Sequence, residues 1–108
     1  MRKITQQTVN AFFSNSNMSL GNMLVNNGNV YLHGNLIAKK LDNTVIAINF
    51  CGWATNTTAD RLNAIVSEAT NGKIKVGIKQ GEPELRHDNG YKQVIDSSEW
   101  VKIESLYF

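Results

Sequence analysis

The sequence has little of what small proteins use for covalent or metal cross-links. Its 108 residues include one cysteine, Cys51, which permits no internal disulfide and no cysteine-based metal site and fits a reducing compartment. No apolar run is long enough for the core of a signal peptide or for a membrane span, so we expect a cytosolic protein without membrane contact. The net charge of +2 is too small to indicate nucleic-acid binding by itself, and it excludes a strongly acidic mimic of DNA.

The residues that are present predict one globular domain. Apolar residues make up 42% of the chain and charged residues 19%, a balance typical of folded proteins. The length predicts a single domain over residues 1–108 with a modest core. Fourteen asparagines, several of them between Ser14 and Asn29, favour turns and left-handed backbone positions.

The first half of the chain predicts a short helix and then three strands. We expect the helix over residues 4–13 and the strands within residues 19–27, 30–40 and 45–50. The Asn-Gly pair within Asn26–Asn29 is a strong hairpin signal because both residues tolerate positive φ, and the strands would form an antiparallel meander. The two expected faces of the second strand are Val30, Leu32 and Leu36 on one side, and Tyr31, His33 and Ile37 on the other.

A second helix over residues 58–70 is the element with the clearest sequence signals. Thr57 would cap its start, as Thr5 would cap the first helix, and Asp60 completes a pattern like a capping box. Gly72 supplies the left-handed residue that ends the helix. Four apolar residues form one stripe along the helix: Leu62, Ile65, Val66 and Ala69.

The last third of the chain predicts further strands around a polar loop. Residues 73–80 alternate between apolar and polar positions, residues 81–90 form a polar excursion with the only proline, and residues 91–96 and 99–105 are two strands or one interrupted strand. The order α-βββ-α-ββ predicts an α+β fold, with an antiparallel sheet of about five strands and two helices packed on one face. In the alternating segment Ile74, Val76 and Ile78 would face inward, and Lys75, Gly77 and Lys79 outward.

Patterns for catalysis and metal binding are weak. His33 and His87 are far apart in sequence and lack paired carboxylates at ligand spacing, so we expect no metal and no cofactor. A nucleophile and a histidine base meet in space and are not excluded by spacing, although Cys51 fits a small buried residue better. The start of the second helix could bind an anion, but Thr57 and Asp60 can satisfy its N–H groups and no glycine-rich phosphate motif is present. We therefore expect that the protein is not an enzyme.

Two kinds of binding surface stay open. A stripe of cations with aromatic residues would suit nucleic acid, although lysines on the solvent side of a strand also keep a sheet soluble. Trp53 beside Gly52 is either a buried wedge between sheet and helix or an anchor for a partner protein. The terminal SLYF, residues 105–108, either packs in the core or forms an exposed patch for a partner or for self-association. The cations are Lys39, Lys40, Lys73, Lys75, Lys79, Arg86 and Lys92, and the aromatic residues are Tyr31, Trp53, Tyr91 and Trp100.

Residues 30–66 resemble a pattern in small proteins of tailed bacteriophages. The pattern is an LHGN-IA strand followed by a GW-T-TT-RLN corner, and residues 81–88 depart from it, which leaves the pairing of the last strands open. The matching positions are Leu32, His33, Gly34, Asn35, Ile37 and Ala38 in the strand, and Gly52, Trp53, Thr55, Thr57, Thr58, Arg61, Leu62 and Asn63 in the corner.

The resemblance implies a phage protein that works in the host cytoplasm. From that origin, the small size and the missing catalytic clusters, we expect a non-enzymatic inhibitor of host defence, similar to anti-CRISPR proteins, whose partner is a host protein or ribonucleoprotein complex. Nucleic acid as a partner and a homodimer stay open as alternatives. The corner also has a structural explanation, in which Arg61 reaches back to carbonyls or to a carboxylate, Thr55 and Thr57 close the turn, and Trp53 fills the gap. The candidate partner-binding residues are Trp53, Thr55, Asn56, Arg61, Lys39 and Lys40.

Overall fold

The computed structural model describes residues 2–104, which form two helices and nine strands. Every strand pair is antiparallel, so the predicted α+β class is confirmed. Among the described residues no helix is long and apolar enough to cross a membrane. In chain order the elements are α1 (Lys3–Phe13), β1 (Met18–Leu20), β2 (Met23–Asn26), β3 (Asn29–Leu32), β4 (Asn35–Lys40), β5 (Val45–Ile48), α2 (Asn56–Ala69), β6 (Ile74–Lys79), β7 (Glu82–His87), β8 (Lys92–Val94) and β9 (Val101–Glu104).

The strands form two sheets, where we expected one sheet of about five strands. Six strands lie in the order β1-β2-β3-β4-β5-β9 and three in the order β6-β7-β8. The last described strand, β9, therefore returns to the larger sheet, where Val101 lies opposite Ile48. Both helices contact the larger sheet and each other, and α2 also packs on β6. One hydrophobic cluster, which includes Phe12, Phe50 and Ile65, joins the helices to both sheets.

Two segments that we predicted as single strands are hairpins. Residues 19–27 belong to a hairpin that turns at Gly21, where φ is +57°, and that pairs β1 with β2. Residues 30–40 turn at His33 and Gly34, whose φ values of +51° and +79° are those of a type I′ turn. Both turns interrupt an apolar-polar alternation, and for that reason the sequence pattern alone favoured continuous strands.

The turn and a bulge change which side chains of β4 face the core. The register between β3 and β4 shifts beside Tyr31, which lies opposite Leu36 and shares its face of the sheet. Ile37 is instead buried in the core at 1% exposure, so the predicted faces are wrong for Leu36 and Ile37. The alternation predicted for residues 73–80 is confirmed at Val76, which is buried, and at Lys75 and Lys79, which are exposed, whereas Gly77 is buried beneath the Arg86 guanidinium.

The segment that we predicted as a polar excursion begins with a strand. β7 lies between β6 and β8, so the prediction for residues 81–90 is wrong over its first part. A turn with two left-handed residues, Gln80 and Gly81 at +53° and +81°, connects β6 to β7, as Asn27 and Gly28 connect β2 to β3. Pro83 removes one backbone donor near the start of β7, but its carbonyl still accepts a hydrogen bond from the N–H of Ile95 at 3.0 Å.

Helix α2 begins two residues before the start that we predicted. Thr55 caps it, because its Oγ1 accepts a hydrogen bond from the N–H of Thr58 at 3.2 Å, whereas the predicted cap Thr57 lies inside the first turn. The helix ends through Asn71 and Gly72, both with positive φ, so the left-handed end is confirmed with asparagine in the first position. The predicted stripe is buried at every position: Leu62, Ile65, Val66 and Ala69.

A polar cluster joins the two helices. Thr5, which we predicted to cap α1, is buried within that helix and donates a hydrogen bond to Asp60 Oδ2 at 2.7 Å. Asp60 therefore bonds across to α1 rather than completing a capping box. The alternatives for the terminal SLYF fall on residues 105–108, outside the described residues.

Candidate functional site: a pocket at the Trp53 corner

The two stretches of the phage-like pattern line one cavity. A cavity of about 430 Å³ lies between the turn that joins β3 to β4, the chain segment 50–55 and the first turn of α2. Eight of its ten lining residues are positions of that pattern, and the other two are Phe50 and Cys51. We refer to this cavity as the Trp53 pocket; it is lined by Leu32, His33, Asn35, Ile37, Phe50, Cys51, Trp53, Thr55, Thr57 and Thr58.

The pocket combines an apolar floor with an uncharged polar rim. Leu32, Ile37 and Phe50 are all at most 5% exposed, since they belong to the hydrophobic core that the cavity reaches. His33 and Asn35 are exposed, and the described lining includes no Asp, Glu, Lys or Arg. Such a lining accepts an uncharged group with a substantial apolar surface.

Backbone hydrogen bonds hold the corner that carries Trp53. Cys51 and Gly52 both have positive φ, at +56° and +77°, which turns the chain sharply after Phe50. The N–H of Gly52 donates to the carbonyl of Ser97 at 2.7 Å, and the N–H of Trp53 donates to that of Phe50 at 2.9 Å. The corner is therefore fixed both locally and to the segment that precedes β9.

Trp53 lies at the rim of the pocket and not in the core. Its side chain is 62% exposed, so the interpretation of Trp53 as a buried wedge is wrong. Thr55 and Asn56, the next candidate partner-binding residues, are also exposed on the same corner. The structure thus brings three of the six candidate residues together at one surface, although partner binding by them stays a prediction.

Arg61 lies apart from this surface. It is 3% exposed, and its Nη1 donates to Asp60 Oδ2 and to Thr5 Oγ1, both at 2.6 Å. Its Nε is buried without a hydrogen-bond partner among the described residues. These contacts match the structural explanation of the corner, in which Arg61 pairs with a carboxylate, and they leave it no access to a partner.

Lys39 and Lys40 lie at the far end of β4 from the pocket. The Nζ of Lys39 is 4.2 Å from the ring centre of Trp100, a cation–π contact on the outer face of the larger sheet. The Nζ of Lys40 donates to Asn15 Oδ1 at 2.6 Å and lies 5.1 Å from the ring centre of Phe12. Burial lowers the pKa of Lys40. Neither lysine lines the pocket.

Cys51 and His33 are both in the lining, but the thiol is occupied. Cys51 Sγ donates to the carbonyl of Leu36 at 3.0 Å, and burial raises the pKa of this thiol, which keeps it protonated. The Nε2 of His33 lies 3.2 Å from Asn22 Nδ2. Within residues 2–104, no group of three or more His, Cys, Asp and Glu side chains could hold a metal ion.

The cations that we considered as one stripe are divided between the two sheets. Lys39 and Lys40 belong to the larger sheet, whereas five of the seven follow α2. Three of these five lie side by side on β6, β7 and β8, in a set that we refer to as the cationic row: Lys75, Arg86 and Lys92. The sequence could not reveal this row, because β7 was not predicted.

Comparison with known proteins identifies a family for almost the whole chain. The sequence profile of the family described as Kyanoviridae Gp96 protein matches residues 1–105. No curated protein and no solved structure matches the chain.

Proposed function

The chain belongs to the Kyanoviridae Gp96 family of bacteriophage proteins, and from this we propose that it is a non-enzymatic protein that binds and inhibits a host defence factor. The Trp53 pocket would be the contact surface. A large aromatic side chain at 62% exposure, beside a cavity with an apolar floor, is the observation that carries the proposal. By binding a partner through this corner, the protein would block a surface of that partner, as anti-CRISPR proteins do.

The chemistry of the pocket suits a protein segment with a protruding apolar side chain. Tryptophan is enriched among interface residues whose loss costs about 2 kcal/mol or more. Burial of apolar surface is worth about 25 cal/mol per Å², so covering Trp53 and filling the floor both favour association. Because the described lining includes no Asp, Glu, Lys or Arg, the inserted group would be uncharged.

The fixed corner lowers the cost of binding. The hydrogen bonds from Gly52 to Ser97 and from Trp53 to Phe50 are present without any partner, so the backbone beneath Trp53 does not have to be ordered on association. The choice of a defence factor as the target rests on the phage family and on the small size of the chain.

The test compares Trp53→Ala with Tyr91→Ala. Tyr91 is a matched control because it is 58% exposed and lies outside the pocket lining. We expect the wild-type protein and Tyr91→Ala to retain a stoichiometric protein partner from a host lysate treated with nuclease, and Trp53→Ala to bind the purified partner about 30-fold more weakly.

Three results would count against the proposal. Absence of a stoichiometric partner, or equal binding by Trp53→Ala, removes the pocket as the contact surface. A partner that disappears on nuclease treatment indicates nucleic acid instead. A partner whose deletion from the host leaves resistance to phage unchanged removes the defence target, while binding through the pocket stands.

A further inference from the structure

The outer face of the smaller sheet carries three cations in a line. The register places Lys75 opposite Arg86 and Arg86 opposite Lys92, and all three are exposed. Directly paired residues of an antiparallel sheet share one face, with Cβ atoms about 4.5–5.5 Å apart. The cationic row therefore crosses all three strands at right angles to them.

One carboxylate on the same face, Glu84, offsets the repulsion within this row only in part, because a single negative charge lies among three cations. Like charges placed directly opposite each other destabilise a sheet. The same hairpin shows the stabilising alternative, because Lys79 lies opposite Glu82. Oppositely charged residues paired in this way would keep the face as soluble as three cations do. The cationic row therefore points to a ligand with several negative charges.

A buried carboxylate orients the central cation. The Nε of Arg86 donates to Glu84 Oε2 at 2.6 Å, and the Glu84 side chain is only 6% exposed while that of Arg86 is 45% exposed. The hydrogen bond from Arg86 lowers the pKa of Glu84, and the charges of Arg86, Lys92 and Lys79 lower it further, so Glu84 stays ionised. The two terminal Nη groups of Arg86 have no hydrogen-bond acceptor among the described residues.

Gly77 provides the space in which the guanidinium lies. A Cβ added at Gly77 would be 2.5 Å from Arg86 Cζ and 2.6 and 2.8 Å from its two Nη atoms. Gly77 does not have positive φ, so this glycine serves the close approach of Arg86 and not a turn. Glu84 and Gly77 together hold a planar fork of donors between two lysines, which is the geometry that binds a phosphate in a bidentate manner.

We propose that the cationic row binds the phosphate backbone of single-stranded nucleic acid, a function separate from that of the Trp53 pocket. Proteins that bind single strands combine a positively charged groove along the backbone with aromatic side chains on which bases stack. Tyr91, 58% exposed, precedes Lys92 and lies with its ring centre 5.2 Å from that of His87, so it borders the cationic row at the start of β8 rather than sharing its face. Because the chain's net charge is only +2, we expect a modest affinity that is sensitive to salt.

The first experiment measures binding of a fluorescent single-stranded DNA oligonucleotide by anisotropy over a salt series. Three phosphate contacts predict that the logarithm of the binding constant falls with the logarithm of salt concentration with a slope of about −2, since each contact contributes about −0.7. Lys75→Ala and Lys92→Ala should each make the slope shallower by about 0.7. Lys102→Ala, which removes an exposed lysine from β9 of the larger sheet, should change neither slope nor affinity.

A second pair of variants tests the orientation of Arg86 without changing the charge of the face. Gly77→Ala displaces the guanidinium, and Arg86→Lys replaces the fork by a single ammonium. Both should weaken binding several-fold. If both variants bind as tightly as the wild-type protein, the proposed role of the oriented guanidinium is wrong. Circular dichroism and thermal unfolding establish that each variant is folded, and the wild-type salt slope tests the proposal independently of any variant.

Other results would overturn the proposal as a whole. No binding at low salt removes it, because phosphate contacts are strongest there. Equal losses in Lys102→Ala and Lys75→Ala mean that overall charge and not the cationic row is responsible. If polyglutamate or phosphatidylglycerol vesicles compete as strongly as unlabelled DNA, the cationic row binds polyanions of another class. Trp53→Ala should bind the oligonucleotide as the wild-type protein does, which separates this proposal from the proposed function.

Discussion

The Trp53 pocket and the cationic row differ in chemistry and in the way the chain builds them. The pocket is uncharged in its described lining and joins segments that are distant in sequence, the turn at His33 and the corner at Trp53. The cationic row has charge as its main feature and arises from three strands that follow one another directly. A surface of the first kind depends on the whole fold, whereas one of the second kind depends on local register, so the two can be altered separately.

The largest expected effect is on the free energy of unfolding, which should fall much more on substitution in the floor of the pocket than on substitution at its rim. Phe50→Ala should lower the free energy of unfolding by about 3–5 kcal/mol, because Phe50 is 1% exposed and its removal leaves a cavity. Trp53→Ala should change it by less than about 0.5 kcal/mol, because Trp53 is mostly exposed. Urea denaturation followed by circular dichroism measures both. Similar losses in the two variants would mean that Trp53 is packed in solution.

A smaller loss of stability is expected at the start of α2, which lines one side of the pocket. Thr55→Ala should cost about 1 kcal/mol of stability, because it removes the oxygen that accepts the N–H of Thr58. Thr57→Ala, two residues further on, is the control and should cost less, since Thr57 does not cap the helix. Thermal unfolding of both variants shows which loses more stability. A larger loss in Thr57→Ala would mean that Thr57 caps the helix, as the sequence pattern predicted.

The smallest effect concerns the carboxylate beneath the cationic row. The pKa of Glu84 is lowered below its ordinary value of 4.5 in the folded protein, so its contribution to stability is fully present above pH 4.5 and is lost as pH falls through the folded value. Glu84→Gln should therefore be less stable than the wild-type protein at neutral pH, with the difference narrowing below pH 4.5.

The pH prediction is measured by urea denaturation from neutral pH down to about pH 3. Glu82→Gln is the matched control, because Glu82 is an exposed carboxylate of the same strand and forms no ion pair within 4 Å among residues 2–104. A difference between Glu84→Gln and the wild-type protein that stays constant with pH would show that the lowered pKa contributes nothing to stability.

The sequence predicted the elements whose side chains repeat with a regular period. The stripe from Leu62 to Ala69 and the alternation around Val76 are confirmed, because burial alone determines such patterns. The turn at His33 was missed because His33 fits the apolar-polar alternation of a strand, although histidine is among the non-glycine residues enriched at positive φ and Gly34 follows it. β7 was missed because Pro83 and four charged or titratable residues, Glu82, Glu84, Arg86 and His87, obscure its single strongly apolar position, Leu85.

The candidate site was predicted in part. The motif residues that line the Trp53 pocket were identified by pattern, but the pattern could not show that two separate stretches meet or that Trp53 is exposed. Arg61 shares that pattern for a structural reason, its bonds to Asp60 and Thr5. Gly77 carried a signal that went unused, since a glycine inside a strand often marks a close approach by another group.

The return of β9 to the larger sheet links the assembly of the two sheets. Val101 pairs with Ile48 only after the chain has passed through α2 and all of β6, β7 and β8. A compact intervening segment shortens the effective loop that this pairing closes, and an unfolded one lengthens it at an entropic cost that grows slowly with length. Loosening of the smaller sheet should therefore be detectable as faster amide hydrogen exchange at β5, which belongs to the larger sheet.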